Sequence, residues 1–193
     1  NEIDFCYVSS GAVYGAQEYG KKPCENSPLS TAHQTTNKIN YAKIKIILED
    51  LVFRHFGDQA SIARPFAFFD YISPTNKHFA IPSIVQSALR GDFEIKAPKT
   101  FRSFLNAKSL VADLIFISAQ KGEVYNVGSE QAFSLADIGH IVSKITKTTV
   151  LFGNDNEYDF YVPNVQKIRA SIKSSETNIH DRILKFIDYN NLR

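Results

Sequence analysis

The sequence predicts an α/β fold built on a parallel sheet, and three observations predict it. An apolar run at residues 3–8 ends at Ser9-Ser10-Gly11. A helical pattern carrying Ile44, Ile47, Leu48 and Leu51 starts at Asn40, runs to about His55 and stops at Gly57. A second apolar run occupies residues 60–66 and ends at Pro65-Phe66. Strand, helix, strand is a βαβ unit, which implies parallel strands joined by a right-handed crossover.

The bulk properties support a folded chain. The 193 residues are 44% hydrophobic and 22% charged, an ordinary globular balance that excludes intrinsic disorder as the default. A net charge of +2, with scattered basic residues, argues against nucleic acid or a membrane surface as partner. Two cysteines without a secretory signal point to the reducing cytoplasm rather than a disulfide framework. Cys6 reads as a small buried hydrophobe. The longest apolar stretch, near 110–117, is too short to span a bilayer. The chain has no Met and opens at Asn1, almost directly in a strand, so it reads as a fragment.

The remaining elements follow in order. Residues 11–39 are rich in Gly, Pro, Ser, Thr and Asn and read as a long irregular excursion of the kind that carries function. Residues 82–90 read as a helix, and 93–96 and 101–105 as short strands. An amphipathic helix is predicted over 108–119 and a strand over 124–127. A helix over 134–144 has Ser134 as N-cap and Asp137 in its first turn, and a last helix spans 178–189. Phe66, Phe68, Phe69 and Tyr71 read as core. The histidines lack metal-ligand spacing, so no metal site is predicted.

Two features carry chemistry. Ser9-Ser10-Gly11-Ala12-Val13-Tyr14-Gly15 follows a buried strand directly, and open parallel sheets take ligands beyond the carboxyl ends of their strands. Tyr41 and Lys45 stand four apart on one helix face. A nearby ammonium favours a phenolate and suits the phenol to general acid/base work near neutral pH. Taken singly, each feature also has an ordinary reading, as a strand end or a surface pair.

Their order is more specific. A strand ending in serine, a loop, a Tyr-x-x-x-Lys helix and a strand reading Ile62-Ala63-Arg64-Pro65-Phe66 together resemble the extended short-chain dehydrogenase/reductases, the nucleotide-sugar epimerases and dehydratases. The likeness continues through Pro23 and Glu25, Arg102-Ser103-Phe104, Tyr125-Asn126-Val127-Gly128-Ser129, and Val162-Pro163-Asn164 with Lys167 and Arg169. It implies the C-terminal part of a Rossmann-like doubly wound parallel sheet plus a small mixed α/β substrate-binding region. Residues 1–66 would complete the NAD(P)-binding domain, with 108–128 a candidate return to it, and 67–193 would bind substrate.

The resemblance implies a catalytic triad of Ser10, Tyr41 and Lys45, with Ser10 preferred to Ser9 because it lies three residues before Val13. It implies NAD or NADP as cofactor, contacted by Tyr41, Lys45, Pro65 and Phe66. The implied partner is a nucleotide-diphosphate sugar, contacted by Ser10, Gly11, Ala67, His78, Phe79 and Arg102, with Arg102 clamping the diphosphate through its planar fork. A homodimer through the catalytic helix and a place in surface-polysaccharide precursor synthesis also belong to the resemblance.

The chain departs from the family pattern in four places. No Gly-x-x-Gly-x-x-Gly loop is present, and at about 30 residues per βαβ unit something like 100 residues would be missing upstream. Without that loop, the chain alone should bind NAD poorly. Gly11 and Ala12 replace the Asp-Glu pair of the 4,6-dehydratases, which ranks epimerase or keto-reductase above dehydratase. Ala67 stands where many members carry Asn, with Asp70 near a usual Gly. Lys96-Ala97-Pro98 replaces a Gly-Asp-Gly turn, and Ser109 an acidic residue. An inactive remnant or interaction module is the alternative from another class.

Overall fold

The computed structural model describes residues 5–32, 36–75, 79–154, 158–175 and 178–192. Strand β1 (Phe5–Val8) is followed by a 3-10 turn at Gly11–Tyr14 and helix α1 (Thr36–Phe56). Strand β2 (Ala60–Pro65) then pairs parallel to β1, Phe5 opposite Ala60 and Val8 opposite Ala63. Its other edge pairs, again parallel, with β5 (Val124–Val127), giving the order β1-β2-β5. The central strand β2 is buried from Ala60 to Arg64, as expected for a parallel strand covered on both faces. Helix α3 (Ala107–Ser118) packs on all three strands and buries Ile117 against Ala63, Tyr125 and Val127. Asn106 caps it, its Oδ1 accepting from the Ser109 amide at 2.8 Å.

The second region is mixed. Strand β3 (Phe93–Ile95) pairs parallel with β7 (Val150–Phe152). Strand β4 (Thr100–Arg102) lies between β6 (Phe133–Ser134), antiparallel, and β8 (Asp159–Tyr161), parallel. Helices α2 (Ala80–Ala88), α4 (Leu135–Thr146) and α6 (Ile179–Tyr189) share a core of Phe69, Ile81, Val85, Ile138, Ile183 and Phe186. Ser134 caps α4 in a reciprocal capping box with Asp137. The short helix α5 (Gln166–Arg169) returns against β5, where Arg169 meets the buried Asp113 of α3 at 2.5 Å.

Several expectations are corrected. The apolar row of α1 faces outward: Ile44, Ile47, Leu48 and Leu51 are all exposed, and so is Tyr41. The buried row is instead Ala42, Glu49 and Val52. Small side chains let the helix lie close to the sheet, and Glu49 can be buried because Arg64 of β2 pairs with it. The helix also starts at Thr36, earlier than Asn40, which shortens the irregular excursion. Phe66 and Phe69 are core, but Phe68 and Tyr71 are exposed. Cys6 is only half-buried. Strand β4 ends at Arg102 rather than at 105. Strands β6, β7 and β8 and helix α5, each of four residues or fewer, were not anticipated.

Candidate active site

The site lies at the carboxyl ends of β1 and β2. Beyond Val8 the chain turns at Ser10, whose Oγ accepts the Ala12 amide at 3.2 Å and so caps the 3-10 turn. The same oxygen lies 3.4 Å from the Tyr161 hydroxyl, at the end of β8. The neighbouring Ser9 hydroxyl is buried with no hydrogen-bond partner among the described residues. Lys45 reaches back from α1 and donates to the Val8 carbonyl at 2.9 Å. Its ammonium stands 5.0 Å from the centre of the Tyr7 ring and 5.8 Å from that of Tyr41.

Tyr161 links these residues to the second region. Burial pushes its phenol up to about 12; the Ser10 hydrogen bond opposes that shift, the Tyr41 phenol adds to it, and Arg102 again opposes it. Tyr161 therefore stays protonated near neutral pH and can donate. Its ring lies 4.5 Å from that of Phe66 and 5.5 Å from the Arg102 guanidinium carbon. Ser10 thus approaches the Tyr161 phenol, and Lys45 stands beside Tyr41.

Beneath this surface a buried polar network ties five segments together. Arg64 donates to both Glu49 oxygens, at 3.0 and 2.7 Å, and to the Tyr14 hydroxyl at 2.7 Å. Tyr14 donates to Asn126 Oδ1 at 2.8 Å, and Asn126 Nδ2 donates to the Pro23 carbonyl at 2.9 Å. The Glu25 side chain accepts the Asn126 amide at 2.9 Å, and its carbonyl accepts from Arg64 at 3.1 Å. Burial pushes the Tyr14 phenol up to about 12 in spite of the Arg64 charge beside it. The network fixes the turn that presents Ser10 relative to α1, β2 and β5. Sequence reasoning missed it, because Glu49 lies off the apolar row of α1 and nothing local marks it as buried.

Four of the remaining candidates line a cleft of about 320 Å³. Phe66, Ala67, Phe79 and Arg102 all border it, with Phe69, Ile81 and Phe104 as apolar walls. Phe79 also borders a neighbouring cleft of about 370 Å³ that includes Ser83, Glu94 and Lys96. Gly11 faces the Phe66 ring so closely that a Cβ there would stand 2.5 Å from it. Pro65 closes β2 opposite Val127. His78 lies outside the described residues. Arg102 is paired with Asp159 of β8, and Lys38 of α1 approaches the same carboxylate. None of Tyr161, Asp159 and Lys38 was singled out from the sequence. Among the described residues no group of three His, Cys, Asp or Glu could hold a metal ion, and no helix is long and apolar enough to cross a membrane.

No protein-family model and no curated protein matches this sequence. Solved structures do. One is dTDP-glucose 4,6-dehydratase from Bacillus anthracis in complex with NAD, with a TM-score of 0.79 at 15% identity, covering 99% of this chain and 65% of that one. Another is RMD from Pseudomonas aeruginosa complexed with NADPH, with a TM-score of 0.78 at 19% identity over 97% of this chain and 66% of that one. A third is UDP-N-acetylglucosamine 4-epimerase from Methanobrevibacter ruminantium in complex with UDP-N-acetylmuramic acid, with a TM-score of 0.75 at 15% identity over 96% and 62%. The chain spans 65%, 66% and 62% of the lengths of these structures. The fold is therefore α/β with a Rossmann-like parallel sheet, shared with about two-thirds of each of these nucleotide-cofactor and sugar-nucleotide enzymes.

Proposed function

We propose that the chain is the substrate-handling part of an NAD(P)-dependent nucleotide-sugar epimerase or keto-reductase. The observation that carries the reading is Lys45 bonded to the last carbonyl of a parallel strand, with the Tyr41 ring beside its ammonium and Ser10 two residues further along the chain. That edge is where open α/β sheets take ligands.

Tyr41 moves a proton at a sugar hydroxyl, and Ser10 hydrogen-bonds the same oxygen. Lys45 holds the nicotinamide ribose. It is anchored by the Val8 carbonyl, and an ammonium has three donors, so the site fits that end of the cofactor. Pro65 and Phe66 lie at the same sheet edge, at the end of β2. The 193-residue sequence has no glycine loop for the pyrophosphate. When bound, NAD(P) accepts and returns hydride, and the protein supplies orientation and proton transfer.

The sugar nucleotide lies along the cleft, with its diphosphate on Arg102 and its base toward Phe79. A second copy of the chain would cover the exposed apolar row of α1, and the cytoplasm is the proposed compartment. A 4,6-dehydratase is the weaker reading. Gly11 and Ala12 offer no carboxyl, and the Phe66 ring fills the space beside Gly11.

The test uses the longest natural form of the polypeptide, NAD(P) and a panel of UDP-, dTDP- and GDP-sugars. Tyr41→Phe is expected to lower kcat by about a hundredfold or more with an unchanged melting temperature. Wild-type turnover in that variant would remove Tyr41 from the mechanism. If the wild type turns over none of the panel, the inactive-remnant reading stands instead.

A further inference from the structure

Strand β8 brings a carboxylate to Arg102, which lines the cleft. In the parallel register of β4 and β8, Thr100 stands opposite Asp159 and Arg102 opposite Tyr161. Arg102 Nη2 donates to Asp159 Oδ2 at 2.5 Å, and Nη1 donates to the carbonyls of Phe101 and Asp159 at 2.7 and 3.3 Å. Lys38, near the start of α1, places its Nζ 3.6 Å from the same Oδ2. Two cations from separate elements therefore converge on one oxygen. The Asp159 side chain is 41% exposed and that of Arg102 19%, so the pair is accessible from solvent.

We propose that Asp159 is a specificity-determining residue: it occupies an anion site built by Arg102 and Lys38, and a ligand's diphosphate binds by displacing its carboxylate. This rests on the reading of Arg102 as the diphosphate contact and adds what selects the diphosphate.

The physical case is a competition. Two neighbouring cations repel unless an anion lies between them. Asp159 supplies one negative charge and leaves the trio at net +1. Burial alone would raise its carboxyl, but Arg102 and Lys38 outweigh burial and hold it below the usual carboxylate range, so it is ionised at neutral pH. Because it is tethered, it competes at high effective concentration. A single phosphate must displace it for contacts it only partly improves. A diphosphate presents two anionic groups and engages Arg102 and Lys38 together. The resident carboxylate thus penalises compact monoanionic and monophosphate ligands more than it penalises diphosphates.

The experiment needs neither NAD nor a sugar. Inorganic pyrophosphate and orthophosphate are titrated calorimetrically into the chain and into Asp159→Asn at fixed ionic strength. Asparagine is isosteric and keeps an acceptor for Arg102 while removing the charge. Pyrophosphate should bind about tenfold more tightly to Asp159→Asn, and orthophosphate should gain more than pyrophosphate, narrowing the preference. Adding Arg102→Gln to that variant should remove the gain. Asp159→Ser serves as a further variant if the asparagine protein does not fold. Unchanged or weaker pyrophosphate binding in the charge-removed variant overturns the proposal, because Asp159 would then be orienting Arg102 rather than competing for it. The turnover assay is independent. A gain in binding without turnover keeps the anion site and discards the epimerase reading. Turnover without a gain discards only the role given to Asp159.

Discussion

Two arginine–carboxylate pairs, one in each region, have nearly the same bond lengths and opposite surroundings. Arg64 and Glu49 lie under the parallel sheet with side chains 6% and 4% exposed. Arg102 and Asp159 lie in the small mixed sheet, 19% and 41% exposed. The inner pair has its neighbours supplied by the chain: Tyr14, Glu25 and, through Tyr14, Asn126. In the outer pair Arg102 borders a cleft, and Asp159 is shared with a solvent-exposed lysine. The difference teaches that a short ion pair signals framework where its polar valences are closed, and a binding surface where they are open.

The largest effect expected from this comparison is at Glu49. Glu49→Gln leaves a guanidinium buried beside a neutral amide, and breaking one partner of a buried pair costs about 3–5 kcal/mol. Denaturant unfolding should show a loss of that size with little change in slope. A loss below about 1 kcal/mol, the range of exposed pairs, would mean that the network is not what holds α1 to β2.

A smaller effect is expected at Gly11. A Cβ at this position would stand 2.5 Å from the Phe66 ring, which is itself wedged against Tyr161 and Tyr14. Gly11→Ala should cost about 1–3 kcal/mol as overpacking. Because Phe66 lines the cleft and touches Tyr161, the variant should also weaken ligand binding there. A fully stable Gly11→Ala would show that Phe66 moves readily and does not floor the site.

The two regions also differ in how much the sequence disclosed. The strand–helix–strand unit was legible because its runs are long enough for a period to register, and the Ser134–Asp137 cap was legible from local chemistry. The facing of α1 was not. Its apolar row at 44, 47, 48 and 51 is exposed, and the buried row includes an acid whose partner lies fifteen residues away. Periodicity identifies a helix but cannot say that a buried arginine will reward a carboxylate more than solvent penalises the exposure of isoleucines. The chemistry of the mixed region was least legible. Asp159 and Tyr161 sit on a strand of three residues, and neither carries a motif. Only the register with Arg102 gives them meaning, and register is a long-range property.

The smallest effect concerns the stability contributed by the outer pair. Half-exposed ion pairs are worth about 0–1 kcal/mol once solvent screening and side-chain entropy are counted, so Asp159→Asn should shift unfolding by no more than that at neutral pH. The pH sign follows from the direction of the carboxyl. Its value in the folded chain is held below the ordinary 3.8 by Arg102 and Lys38 against burial. Whatever stability it gives is therefore present above that ordinary value and is lost as pH falls toward the depressed one. Wild type and Asp159→Asn should differ slightly at neutral pH and converge under acid, with added salt narrowing the gap at neutral pH. A neutral-pH loss of several kcal/mol, insensitive to salt, would place Asp159 in the same class as Glu49, with the contrast between the two pairs lost.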